Sequence, residues 1–331
     1  MPALFLVLSL AAVTAFQSEL IFPPSPQLPS NHASTLAVMP NGDLLCAWYA
    51  GRREGSRDVK IYASRRDAQS GRWFGPEVIA DTPDRSDGNP VLFVDQRGQV
   101  WLFFVTIYGL NWQWARIKVQ TSADRGRTWG LARIFRERRG WMTRSHPLVL
   151  GDGRILLPLY NEVRMRSVFM VSNDRGASFQ PAGVIKTRPG NLQPSVVQLA
   201  DGSLLALLRH HRKPGRIWRT SSTDQGRTWS PAELTSLPNP DAGLDLVRLP
   251  NGHLVLAFNN SPTRRTPLSL ALSEDDGRTW PFIRDLETGP GEFSYPSLAA
   301  TADGAIHLTY TWKRKSIKYA TMTEDWIRNG P

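Results

Sequence analysis

A single cysteine, Cys46, in a chain of 331 residues excludes an internal disulfide framework and a cysteine-ligated zinc site. It stands in the apolar run "DLLCAWY", the setting of a buried structural thiol rather than a nucleophile. Beyond the N-terminus no stretch approaches transmembrane length. There is no phosphate-binding loop, dinucleotide fingerprint, His-x-x-x-His metal motif or serine-nucleophile elbow, so no cofactor and no metal is expected. A basic tail is also missing. The net charge of +11, supplied more by Arg than by Lys, is spread along the chain. It suits an anionic partner such as an acidic glycan, and its dispersal argues against nucleic acid.

What is present is apolar enough to bury a large core. Hydrophobic residues make up 41% of the chain and aromatics 10%, which excludes a disordered protein. The N-terminus "MPALFLVLSLAAVTAFQSEL" carries an apolar run from Ala3 to Val13 that ends in Thr14 and Ala15. That is the pattern of a secretory signal cleaved near Ala15, although no basic residue precedes it. The expectation is a signal peptide over 1–15 and one domain over 16–331, secreted or periplasmic, with no membrane span and acting as a monomer.

Four copies of one polar turn follow at nearly even steps: "TSADRGRTWG", "VSNDRGASFQ", "SSTDQGRTWS" and "LSEDDGRTWP". Each reads Ser-x-Asp-x-Gly-x-Thr/Ser-aromatic, and a worn fifth copy begins at Ala63. Asp and Ser bond nearby backbone amides, Gly supplies a positive φ, and the aromatic packs the turn onto its sheet. Asp124, Asp174, Asp224 and Asp275 are therefore structural. Offset from these turns are six hairpins of alternating apolar residues around Gly42, Gly98, Gly153, Gly202, Gly252 and Gly304, as in "VVQLADGSLLALL". A unit of about 50 residues with four strands is a propeller blade. The pattern predicts an all-β, six-bladed propeller. The segment before His32, or the C-terminal "IKYATMT", closes the ring with the first blade.

In such a fold the residues that lead into each innermost strand converge on the central channel. They are His32, Asn89, His146, Gln193, the 241–245 region and Tyr295. The ends of the neighbouring strands add Arg53, Asp58, Arg209 and Arg265, with Arg264 as the alternative to Arg265. Glu162 and Arg164 reach the rim, where an ion pair between them is expected. Several Arg, a carboxylate and a Tyr suit an anionic sugar: guanidinium forks clamp a carboxylate, and an Asp can exchange a proton.

These motifs resemble the sialidase (neuraminidase) superfamily, whose Asp-box repeat is the turn described above. The resemblance covers about residues 30–325. "LLCAWYAGRREGSRDVKIYASRR" resembles the segment that holds a substrate-binding Arg and, five residues on, the catalytic Asp, implying Arg53 and Asp58. "LLALLRHH" places Arg209 on the second carboxylate-clamping Arg, and "NNSPTRRTPLSLALSEDDG" offers Arg265 for the third. "DGNPVLFVDQRGQVWLFF" resembles the second-blade motif around Asn89, and "GEFSYPSLAATADG" the one that carries the tyrosine nucleophile, here Tyr295. Two departures stand out. His32 occupies the place of the family's first Arg, and Gln193 that of the glutamate that activates the tyrosine. Gln cannot take a proton, and free tyrosine titrates near 10. Three routes stay open: His32 or His146 as replacement base, inversion by water, or binding without cleavage. The reading is an exo-glycosidase acting on acidic, sialylated glycans. Asp58 is its acid/base, Tyr295 its nucleophile or transition-state stabiliser, and Arg53, Arg209, Arg265, His32, Asn89, His146 and Gln193 hold the sugar. The alternatives are hydrolysis or elimination on another acidic glycan, and a non-catalytic glycan-binding propeller.

Overall fold

Each alternating segment pairs with the next across its glycine turn, and all six turn glycines take a positive φ, between +78° and +95°. The structure, a computed structural model, describes residues 15–329. The expected signal segment up to residue 14 lies outside the described residues. Six antiparallel sheets follow one another around a central channel, and the chain is a six-bladed β-propeller. Blade one runs Ser30–Val38, Leu44–Gly51, Lys60–Arg66 and Trp73–Ala80 from channel to perimeter. Blades two, four and five repeat this order. Blade three departs from it, because its innermost strand is broken into two pairs, Trp141–Met142 and Leu148–Val149, both bonded to Ile155–Asn161. Among the described residues no helix is long and apolar enough to cross a membrane.

The ring closes through the N-terminal segment, and onto the sixth blade rather than the first. Phe16–Leu20 adds the outermost strand of the last blade by pairing antiparallel with Ser316–Met322, Phe16 opposite Met322 and Leu20 opposite Lys318. "IKYATMT" is thus the third strand of its own blade. Phe16 stacks on Trp326 at 4.6 Å. Phe22, stacked on the fully buried Trp48 at 5.0 Å, joins the seam to blade one.

The four repeated turns share one hydrogen-bond pattern. At Ser222–Thr228 the Asp224 carboxylate accepts from the Ser222 hydroxyl (2.8 Å) and from both the amide (2.8 Å) and hydroxyl (2.6 Å) of Thr228. The turn aromatic packs on the preceding blade rather than on its own sheet. Trp229 of blade four stacks on Phe169 of blade three at 4.7 Å, and Phe179 of blade three meets Phe103 of blade two at 6.4 Å. The turns therefore tie each blade to its predecessor. At the worn copy near Ala63, Asp67 bonds only the backbone and hydroxyl of Ser70, a different turn in the same place.

Candidate functional site

Four innermost strands carry the same irregularity. In blades one, two, four and six one extra residue is inserted against the second strand, between His32 and Thr35, Gly88 and Val91, Leu192 and Ser195, and Ser294 and Ser297. At each of these bulges one non-glycine residue adopts a positive φ: Ala33 (55°), Asn89 (45°), Gln193 (50°) and Tyr295 (55°). Such a conformation costs on the order of 1–3 kcal/mol and clusters at functional sites. In three of the four the next residue is Pro, and those three side chains, Asn89, Gln193 and Tyr295, line one pocket of about 200 Å³. Its other walls include Glu54, Trp112, Glu162, Arg209, Arg265 and Arg314.

Tyr295 is its centre. Its hydroxyl accepts a hydrogen bond from Arg209 Nη1 at 2.9 Å. Two further guanidiniums, Arg265 and Arg144, lie 5.3 and 5.2 Å from its ring. Burial pushes the phenol up, but the positive charges of Arg209 and Arg265 more than reverse this and leave it below its ordinary value. Gln193 and Asn89 both donate to the hydroxyl of the buried Tyr160, at 3.3 and 3.1 Å.

The arginines meet carboxylates. Arg209 Nε donates to Asp241 at 2.7 Å. Glu292 accepts from Arg265 and Arg314, each at 2.8 Å. Arg314 also donates to Glu54 at 2.6 Å, and Glu54 accepts from the Trp112 indole at 3.2 Å. Gly88 makes room for that indole: a Cβ there would lie 2.6 Å from the Trp112 ring. Burial pushes the Glu292 carboxyl up, but the Arg314 and Arg265 guanidiniums bonded to it outweigh this and bring it down to about 2.

Of the residues singled out in the sequence, Tyr295, Arg209, Arg265, Asn89 and Gln193 come together here. Arg264 is exposed outside the pocket. His32 is buried behind Tyr295, ring to ring at 4.3 Å, and does not line the pocket. Arg314 can only donate to His32 Nε2 (3.3 Å), so Nδ1 carries the proton toward Thr311 (2.9 Å). Burial and then Arg314 hold the imidazole neutral, well below its usual titration range.

Three placements differ from the sequence reading. Arg53 and Asp58 stand on the open loop after blade one's second strand and do not line the pocket, and Asp58 accepts from the Arg52 amide at 2.9 Å and pairs with its side chain at 3.3 Å. His146 sits deeper in the channel, against the Leu92 carbonyl (3.0 Å) and the Ser297 hydroxyl (2.9 Å), beside a separate groove of about 610 Å³. It precedes a Pro as Asn89, Gln193 and Tyr295 do, but blade three lacks their continuous inner strand. From that blade Arg144 approaches Tyr295 instead. It is buried and bonded to the carbonyls of Ser34 (3.1 Å) and Pro296 (2.6 Å) at two of the bulges. Finally, Glu162 makes no ion pair with Arg164 or any other described residue, and it faces into the pocket.

Sequence reasoning missed Arg314, Glu54, Glu292, Trp112, Tyr160 and Arg144. Arg314 lies beside His32, where the family resemblance lacked its first Arg, yet in the sequence it is one of three consecutive cations with nothing to mark it. Elsewhere His253, Glu274 and Glu324 lie within ion-binding distance of one another, but the Arg328 guanidinium pairs with both glutamates.

The fold and this pocket define a BNR-type propeller with a small polar site, lined by arginines, on its axis. Residues 42–308 match the BNR repeat-like domain, and the chain belongs to that family. It is 27% identical over 344 residues to the sialidase of Micromonospora viridifaciens, an alignment covering 90% of this chain and 52% of that protein. The chain thus spans about half the length of that relative, and less of the anhydrosialidase of Macrobdella decora, of which it covers 24%. Among solved structures, the Hadza microbial sialidase Hz136 superposes with a TM-score of 0.78 at 18% identity, over 91% of this chain and 67% of that one. A protein of unknown function from Dyadobacter fermentans gives 0.79 at 15%, over 93% and 99%. The sialidase-superfamily resemblance of the motifs stands with these matches.

Proposed function

We propose that the protein is a glycoside hydrolase that removes a terminal acidic sugar of the sialic acid type from glycans. The observation that carries this reading is Tyr295, held by Arg209 at the floor of a pocket that Arg265 and Arg314 also enter. The two nearest guanidiniums take over the activation that a glutamate would supply, by favouring the phenolate. The phenolate oxygen attacks the anomeric carbon, and the positive pocket holds the sugar carboxylate against the developing charge. A basic groove of about 580 Å³, with Lys213 and Arg264 on its walls, continues outward from Arg209 and Arg265 and suits the remainder of an acidic glycan. The relatives' names support the class of substrate, and the leader-like N-terminus supports an encounter outside the cytoplasm.

One observation favours a second reading. The pocket's 200 Å³ is small beside the roughly 300–1,000 Å³ of typical small-molecule sites. Its guanidiniums also already face carboxylates. A six-carbon uronic acid fits these limits better than a nine-carbon sialic acid. The experiment is a panel of 4-methylumbelliferyl glycosides, with sialic acid, glucuronic acid and galactose as glycones, assayed with the wild type and Tyr295→Phe. Cleavage of one acidic glycone, lost by about 10²-fold or more in Tyr295→Phe, supports the reading and selects the sugar. Cleavage of the galactoside alone refutes an acidic substrate, and cleavage of none refutes the hydrolase.

A further inference from the structure

We infer that Glu162 is the group that protonates the leaving glycosidic oxygen, an assignment that rests on the hydrolase reading above. Two carboxyl groups, Glu54 and Glu162, line the pocket, two more, Asp241 and Glu292, stand behind its arginines, and three of the four are committed. Asp241 is bonded to Arg209, Glu292 to Arg265 and Arg314, and Glu54 to Arg314 and Trp112. Each already accepts charge-assisted hydrogen bonds from a fixed cation and is turned toward it. Glu162 alone has neither an ion pair nor a side-chain hydrogen bond among the described residues.

The backbone presents it rigidly. The Glu162 amide donates to the Gly140 carbonyl at 2.8 Å. The side-chain oxygen of Asn161 accepts from the amides of Val163 (3.1 Å) and Arg164 (2.8 Å), pinning the turn that carries Glu162 inward from blade three. Burial raises its carboxyl, the Arg209 charge lowers it and the Asp241 charge raises it again, and the balance lies above the ordinary value. Tyr160, the third ionisable neighbour, is kept neutral by burial. The carboxylic acid form therefore persists to higher pH here than in a free glutamate, the direction a proton donor requires. Asp58, the acid expected from the motif, is half-buried, paired with Arg52 and outside the pocket.

The step balances. As the Tyr295 oxygen bonds the anomeric carbon, the C–O bond to the aglycone breaks and the Glu162 proton passes to the departing oxygen, leaving the carboxylate. That carboxylate then takes a proton from a water molecule whose oxygen displaces Tyr295 from the sugar. The acid is restored, and one water has been consumed.

The test compares kcat/KM of wild type, Glu162→Gln and Asp58→Asn on 4-nitrophenyl and methyl glycosides of sialic and glucuronic acids. A nitrophenolate needs no proton to depart, whereas methanol does. Glu162→Gln should lose about 10²–10⁴-fold on the methyl glycoside while staying within roughly tenfold of wild type on the nitrophenyl one. The alkaline limb of its pH profile should also vanish on the methyl substrate. Equal losses on both substrates, or no loss, overturn the assignment while leaving the hydrolase intact. A leaving-group-dependent loss in Asp58→Asn instead moves the role to Asp58. Wild type inactive on all four substrates removes the hydrolase reading, and the assignment with it. A urea melt confirms that each variant is folded, and Glu162→Asp, which keeps the proton, should recover part of the methyl activity.

Discussion

Replacing Glu292 by Gln separates the charge of this carboxylate from its shape. Its side chain is 24% exposed and lies between two guanidiniums at 2.8 Å each. Its proton affinity falls from the ordinary 4.5 in the unfolded chain to about 2 in the folded protein. At about 1.4 kcal/mol per tenfold change, the ionised form stabilises the fold by roughly 3 kcal/mol at most. The sign follows from the depressed folded value. The contribution is present above pH 4.5 and drains away as the pH falls from 4.5 through 2, below which both states are protonated. The assay is urea unfolding of wild type and Glu292→Gln between pH 7 and pH 2.5. Urea is chosen because an ionic denaturant would screen the cluster. Wild type should exceed the variant by about 2–3 kcal/mol at neutral pH, and the gap should narrow steadily below pH 4.5. A gap that stays constant across that window would refute the argument, since the arginines would then not be holding a carboxylate.

Three further predictions follow from the packing. Gly88→Ala should push the Trp112 ring away and raise KM several-fold, with the melting temperature nearly unchanged because the indole is only partly buried; steady-state kinetics and a thermal melt decide. Asp224→Ala removes the acceptor of three hydrogen bonds at a blade junction and should cost about 1–2 kcal/mol, with KM unaffected, as read by urea titration beside kinetics. Cys46 is fully buried, and burial pushes its thiol far up. A disulfide reagent should therefore label no thiol in the native protein and one after denaturation, whereas rapid native labelling would contradict the packing.

The propeller could be read from the sequence because its signals are local. Alternation about Gly202 or Gly252, and the bonds within Ser222–Thr228, are complete inside a dozen residues. The site could be read only in part, because a one-residue bulge decides which side chain of an inner strand faces the pocket. The residues leading into the inner strands include Asn89, Gln193 and Tyr295, which line the pocket. The same reasoning named His146, but the broken strand of blade three lets Arg144 approach Tyr295 instead. Arg265 against Arg264 was settled not by strand facing but in the loop between Asn259 and Leu268, whose course adjacent identical residues do not reveal. Arg314 and Glu292 meet across a hairpin of the last blade, and nothing near either one in the chain announces their pairing.

The seam at the sixth blade also governs when the molecule becomes whole. Phe16–Leu20 is made before every other described strand, and its partner Ser316–Met322 after all of them. The other five blades pair through local hairpins, whereas this closure joins strands at opposite ends of the described chain, the kind of pairing that topology makes slowest. The same geometry leaves Ala15 and Thr323 bonded to each other. Joining the ends by a short linker and cutting between two other blades would turn that slowest pairing into a local one.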